Sequence, residues 1–111
     1  MPGKKLMIAV MFILLLTAGS VQAGGNAANG KALSGNCVAC HGDDGLGDED
    51  IPAIAGMDAA KLARELADFK SGARVDEGEI MIENAVDLSE QDMADLAAYY
   101  ATLPGRQDET L

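Results

Sequence analysis

The 111-residue chain reads as all-α, with roughly three to five short helices. Three observations predict this. Apolar residues recur at helical spacing in two stretches: Leu62, Leu66 and Phe69 in one, and Met93, Leu96, Ala97, Tyr100 and Leu103 in the other. Helix punctuation brackets each stretch, with Asp58 before and Gly72 after the first, and Ser89 before and Pro104-Gly105 after the second. No segment alternates apolar and polar residues as a half-buried strand does, and neither an internal repeat nor a second domain is visible.

Residues 1–23 have the make-up of a secretory signal peptide. Lys4 and Lys5 give a positive start, Leu6 to Ala18 form an apolar run of 13 residues, and Val21-Gln22-Ala23 suits cleavage after Ala23. The run falls short of the roughly 20 residues of a membrane span, which makes an uncleaved anchor the lesser alternative. Cleavage leaves a domain at 24–105 and a tail, 106–111, expected to fray. The first helix is expected at 26–35, capped by Asn26, with Gly30 leaving room for a close crossing partner. Cys37-Val38-Ala39-Cys40-His41 follows. Residues 42–50, glycine-rich and acidic, predict an exposed loop, a solvated segment or alternatively a docking patch. Residues 51–56 are apolar and extended. Asp58 caps a helix at 59–71, with Lys61, Arg64, Glu65 and Lys70 mostly off its apolar face. A short helix at about 77–86 holds Ile80, Met81, Ile82 and Val86. Ser89 then caps the final helix, with Asp92 at N3 in a variant capping box.

Without the signal the chain has 88 residues, residues 24–111, in which six Lys and Arg face 18 Asp and Glu, a formal charge of −12. Nucleic acid and anionic membrane surfaces are poor partners for such a chain. Only Phe69, Tyr99 and Tyr100 remain as aromatics, so the domain builds a weak core alone.

The five-residue motif supplies what the core lacks. C-x-x-C-H is the attachment signature of c-type haem: the two thiols add across the porphyrin vinyl groups, and the histidine lies under the iron as proximal ligand. The alternatives are weaker. A thioredoxin-type pair needs a βαβ setting that is missing. A four-ligand zinc site needs more than two Cys and one His. A disulfide closing so short a loop constrains little. Because thioether attachment takes place outside the cytoplasm in bacteria, the motif and the export signal support each other. One haem c is expected per chain, on Cys37, Cys40 and His41. His41 is the sole histidine, which excludes bis-histidine ligation within the chain. The sixth ligand is then Met57, Met81 or Met93, a lysine amine, the new N-terminus, or nothing.

Taken together, these residues resemble a small bacterial class I cytochrome c. Gly30, seven residues before Cys37, matches the glycine of the family's N-terminal helix, and Pro52-Ala53-Ile54-Ala55-Gly56 matches its P-x-[LI]-x-G segment. The stretch Phe69-Lys70-Ser71-Gly72-Ala73-Arg74, then Met81, Leu88-Ser89 and Leu96 to Tyr100 is similar to the repeated domain of dihaem cytochromes c. It is also similar to the haem subunit of flavocytochrome c sulfide dehydrogenase. A single haem motif separates this sequence from a complete dihaem protein. The resemblance implies short helices wrapped around the haem, a Pro52 carbonyl that fixes the tautomer of His41, and Met81 as axial ligand. Arg74 is a candidate partner for a haem propionate, against the reading of a solvated surface arginine.

A His/Met-ligated haem leaves no site for substrate, so the expected function is single-electron transfer in the periplasm, without enzymatic activity of its own. Redox proteins, some with a basic docking patch, are the expected partners. The alternatives are a permanent electron-accepting subunit, with a flavoprotein of the sulfide dehydrogenase type as partner, and a haem-based gas-ligand binder.

Overall fold

A computed structural model describes residues 24–106; the expected signal peptide with its cleavage site, and residues 107–111, lie outside the described residues. Five α-helices follow in order: α1 Ala27–Leu33, α2 Gly35–His41, α3 Ala59–Ser71, α4 Ile80–Ala85 and α5 Glu90–Thr102. A 3-10 turn, Glu77–Glu79, leads into α4, and there is no strand among the described residues. The all-α expectation holds.

The expected helix at 26–35 is two helices. Asn26 caps α1 by accepting the Asn29 amide hydrogen at 3.1 Å. At Ser34 the chain turns: the Ser34 hydroxyl donates back to the Lys31 carbonyl at 2.7 Å, an intrahelical competition that ends the run. Gly35 then opens α2, which carries the whole Cys37–His41 motif. The short helix expected at 77–86 is likewise divided, because Gly78 has φ 82° and Glu79 φ 57°, both left-handed, ahead of Ile80.

The longer helices form as read. Asp58 accepts from the Lys61 amide at 3.0 Å, and Gly72, at φ 83°, closes α3. Ser89 and Asp92 make a reciprocal capping box on α5, at 3.0 and 3.1 Å. Leu62 and Leu66 of α3 meet Met93, Leu96, Ala97 and Tyr100 of α5 in the core.

On its other side α5 crosses α1 at backbone contact. A Cβ on Gly30 would stand 2.0 Å from the Asp95 carbonyl oxygen, and one on Gly25 would stand 1.9 Å from that of Ala94. The crossing is sealed by a buried carboxylate. Asp95, 2% exposed, accepts from the Asn26 amide at 2.7 Å, Asn29 Nδ2 at 2.6 Å and Gln91 Nε2 at 2.8 Å.

The loop between α2 and α3 is tied inward. The Ile54 and Ala55 amides donate to the Gly45 carbonyl at 2.8 and 2.9 Å, and the Gly56 amide donates to that of Tyr100 at 2.9 Å. Its acidic side chains Asp43, Asp44, Asp48, Glu49 and Asp50 remain exposed. Arg106 donates from Nη2 to the Leu46 carbonyl at 2.8 Å and ties position 106 to this loop; the rest of the expected tail lies outside the described residues.

Candidate haem-attachment site

Helical geometry in α2 sets Cys37 and Cys40 one turn apart on a common face. Cys37 is half-buried and Cys40 exposed. Burial pushes the Cys37 thiol above its ordinary value. His41, the last residue of α2, is 6% exposed. Its Nδ1 lies 2.8 Å from the Pro52 carbonyl oxygen. A carbonyl can only accept, so Nδ1 carries the proton and Nε2 keeps the lone pair. Pro52 is held by its neighbours: Asp48 Oδ1 accepts from the Asp50 and Ile51 amides at 2.8 and 2.9 Å.

His41 and Met81 line one cavity of about 260 Å³, with Ile54, Leu62, Leu66 and Phe69 among its apolar walls. Such a space is far above the roughly 30 Å³ share of a water molecule and suits a large apolar group. Met57 packs against the core and Met93 lies inside it, 5% exposed; neither is among the residues that line this cavity. Arg74 does line it, with its guanidinium 3.4 Å from Glu65 and 4.8 Å from the Phe69 ring centroid. A second cavity of about 420 Å³, bounded by residues 48–53 and Arg106, has no Cys, His or Met among its described lining residues and so offers neither a thioether attachment point nor the imidazole and sulfur ligands of a haem iron.

The residues present fit haem c. The Cys40 thiol, an imidazole with its lone pair fixed and a thioether sulfur line one largely apolar space, and the second thiol, Cys37, lies one helical turn from Cys40 outside that lining. Next to Cys37 the buried Tyr100 hydroxyl has no hydrogen-bond partner among the described residues, and burial, the largest cause, pushes its pKa well above the ordinary tyrosine value. A bare metal site does not compete: among the described residues no three His, Cys, Asp or Glu come together to hold an ion.

Two features of the site escaped sequence reasoning. Asp76 accepts the Ile80 and Met81 amide hydrogens; the signal was there in Asp76-Glu77-Gly78-Glu79, an acidic capping pattern broken by a turn glycine. The Tyr100 hydroxyl was counted only as part of an apolar stripe.

The family model described as "Cytochrome c" matches residues 27–104. Cytochrome c4 of Pseudomonas aeruginosa is 40% identical over 100 residues, which span 88% of this chain and 48% of the relative. Cytochrome c-554(547) of Halothiobacillus neapolitanus is 42% identical over 89 residues, 71% of this chain and 98% of the relative. The chain thus spans about half of the first relative and nearly all of the second. Among solved structures, reduced recombinant cytochrome c4 from Pseudomonas stutzeri superposes with a TM-score of 0.67 at 29% identity, over 75% of this chain and 53% of that one. Thiosulfate dehydrogenase (TsdBA) from Marichromatium purpuratum gives 0.69 at 31% identity, over 76% and 20%.

Proposed function

This chain belongs to the cytochrome c family and is an electron-transfer protein with covalently bound haem c; from that premise we propose that it works in the periplasm with His41 and Met81 as axial ligands of the iron. One observation carries the ligand assignment: His41 and Met81 line the same cavity. The Pro52 carbonyl holds the Nδ1 proton of His41 and keeps Nε2 available. Cys37 and Cys40 hold the group through thioether bonds. Met81 would offer its thioether sulfur to the iron, and the apolar side chains of Leu62, Leu66 and Phe69, which line the same cavity, would pack against the haem. When bound, the haem supplies a one-electron iron couple, whose potential a methionine ligand raises. Arg74, on the cavity wall, is the candidate partner of a propionate.

Export rests on the signal-like residues 1–23 and on the attachment chemistry. Among the described residues no helix is long and apolar enough to cross a membrane. The acidic surface suits a redox partner with a basic patch. A second reading, a permanent electron-accepting subunit, draws on the likeness to the thiosulfate dehydrogenase chain. Purification of the native protein separates the two, since a subunit elutes with its enzyme and a free carrier alone.

The ligand assignment is tested with Met81→Ala. The oxidised variant should lose the weak long-wavelength sulfur-to-iron absorption band, its potential should fall, and the reduced form should bind carbon monoxide readily. Met57→Ala and Met93→Ala should keep the band and resist carbon monoxide. If the band survives Met81→Ala and disappears in either of the others, Met81 is not the ligand. If the wild type has no band and binds carbon monoxide at once, the protein is a gas-ligand binder.

A further inference from the structure

Met81 sits in a segment with little of its own to hold it. The helix α4 has six residues, too few to persist on intrinsic propensity. Ile80 at its start and Val86 just past its end are each 50% exposed, Val75 upstream is 62% exposed, and Ala85, at 1%, is the one fully buried side chain of the helix, so its apolar anchorage is small. Its N-cap position is occupied by Glu79, left-handed at φ 57° and without a side-chain cap. Gly78 before it is also left-handed, at φ 82°. Backbone of this kind persists only where neighbouring contacts determine it.

Those contacts come from Asp76. Its Oδ2 accepts the Ile80 amide hydrogen at 3.1 Å, and its two carboxylate oxygens accept the Met81 amide hydrogen at 3.1 and 3.2 Å. The Asp76 carbonyl takes the Glu79 amide at 3.0 Å. One residue thereby closes the turn from both sides and grips the backbone of Met81 itself. Asp76 is half-buried and lines the same cavity as His41 and Met81.

We propose that Asp76 is a positioning residue for the sixth ligand: its carboxylate holds the Met81 amide so that the sulfur stays at the cavity and exogenous ligands stay out. The proposal rests on the reading of Met81 as the axial ligand. A methionine side chain has three rotatable bonds and leaves its position easily; fixing its backbone lowers the population of the detached state. Charge-assisted bonds to backbone amides are strong enough to shift such an equilibrium by an order of magnitude.

The test uses the haem-loaded full chain and reads the sulfur-to-iron band and the rate of carbon monoxide binding to the reduced form. Asp76→Ala should weaken the band and speed carbon monoxide binding about tenfold or more. Asp76→Asn, which keeps one acceptor oxygen, should fall between Asp76→Ala and wild type. Asp58→Ala removes a cap of the same kind from α3 and should lower the melting temperature while leaving band and rate at wild-type values. A wild-type band and rate in Asp76→Ala overturn the proposal, as does an equal response in Asp58→Ala. Should Asp76→Ala yield no holoprotein, a wild-type rate in Asp76→Asn overturns it. If Met81→Ala loses the band while the Asp76 variants do not respond, only the role of Asp76 is wrong. If the wild type lacks the band, the Met81 reading fails and Asp76 falls with it.

Discussion

At the α1–α5 crossing every strong contact is internal to the chain. Two glycines bring the backbones together, a buried carboxylate collects three hydrogen bonds, and a reciprocal box caps α5. Around α4 the pattern reverses. Elements are short, Val75, Ile80 and Val86 are exposed, and one carboxylate holds the Ile80 and Met81 amides just past two left-handed residues. The contrast separates what the polypeptide stabilises by itself from what it leaves to the haem. The Cys37 side is a framework held by the chain itself, and the Met81 side presents an apolar surface that gains most from a large apolar partner.

The strongest way to break this comparison is to prevent haem attachment. Cys37→Ala combined with Cys40→Ala, expressed in the export compartment, should abolish cooperative thermal melting, because a core with so few large side chains is marginal. Hydrogen exchange should lose protection first across residues 72–88 and retain some in α1 and α5. A cooperative, well-folded haem-free protein would show that the haem is not what completes the core.

Next in size is Gly30→Ala. The added Cβ would stand 2.0 Å from the Asp95 carbonyl oxygen and 2.6 Å from its carbon, backbone atoms that cannot rotate away. The cost should be about 3 kcal/mol or more in denaturant unfolding. Gly72→Ala meets open space and is strained only by its φ of 83°, so about 1 kcal/mol is expected. Equal losses in the two variants would mean that the crossing is no tighter than an ordinary helix end.

How far the sequence could be read follows the same division. The Leu62, Leu66, Phe69 stripe, the Ser89–Asp92 box and the Cys37–His41 motif were legible because each is a local pattern whose geometry is set within one or two helical turns. The break at Ser34 had a weak local signal, the Ser-Gly dipeptide, which the alanine-rich run on its N-terminal side outweighed. Asp95 was not legible as a buried group: its partners Asn26 and Asn29 lie 69 and 66 residues away, and only the meeting of α1 and α5 gives an acidic side chain next to an apolar stripe a place inside. Arg106 on Leu46, 60 residues apart, escaped for the same reason.

The smallest expected effect is the acid response of Asp95. Hydrogen bonds from the Asn26 amide first, then from the Asn29 and Gln91 side chains, hold its carboxyl below the ordinary 3.8. The folded protein therefore prefers the ionised form more than the unfolded chain does. Stability from this group is fully present above the unfolded value and is lost as pH falls below about 4 through the lower folded value. Asp95→Asn keeps the shape but removes the charge that strengthens all three bonds, and its amide nitrogen meets an acceptor only if the Asn29 amide turns over. At pH 7 it should melt several degrees below wild type, and the gap should narrow as the pH falls below 4. Asp48, also held low by the Ile51 and Asp50 amides, titrates in the same window, yet it is common to both proteins and cancels in the difference. Melting curves of the two holoproteins between pH 2 and 7, in about 0.1 M salt, give the measurement. A gap that stays constant or widens on acidification would show that the carboxylate charge contributes nothing to the lock between α1 and α5. A narrowing gap with an unchanged sulfur-to-iron band at each pH would show that the lock can be loosened without disturbing the Met81 side.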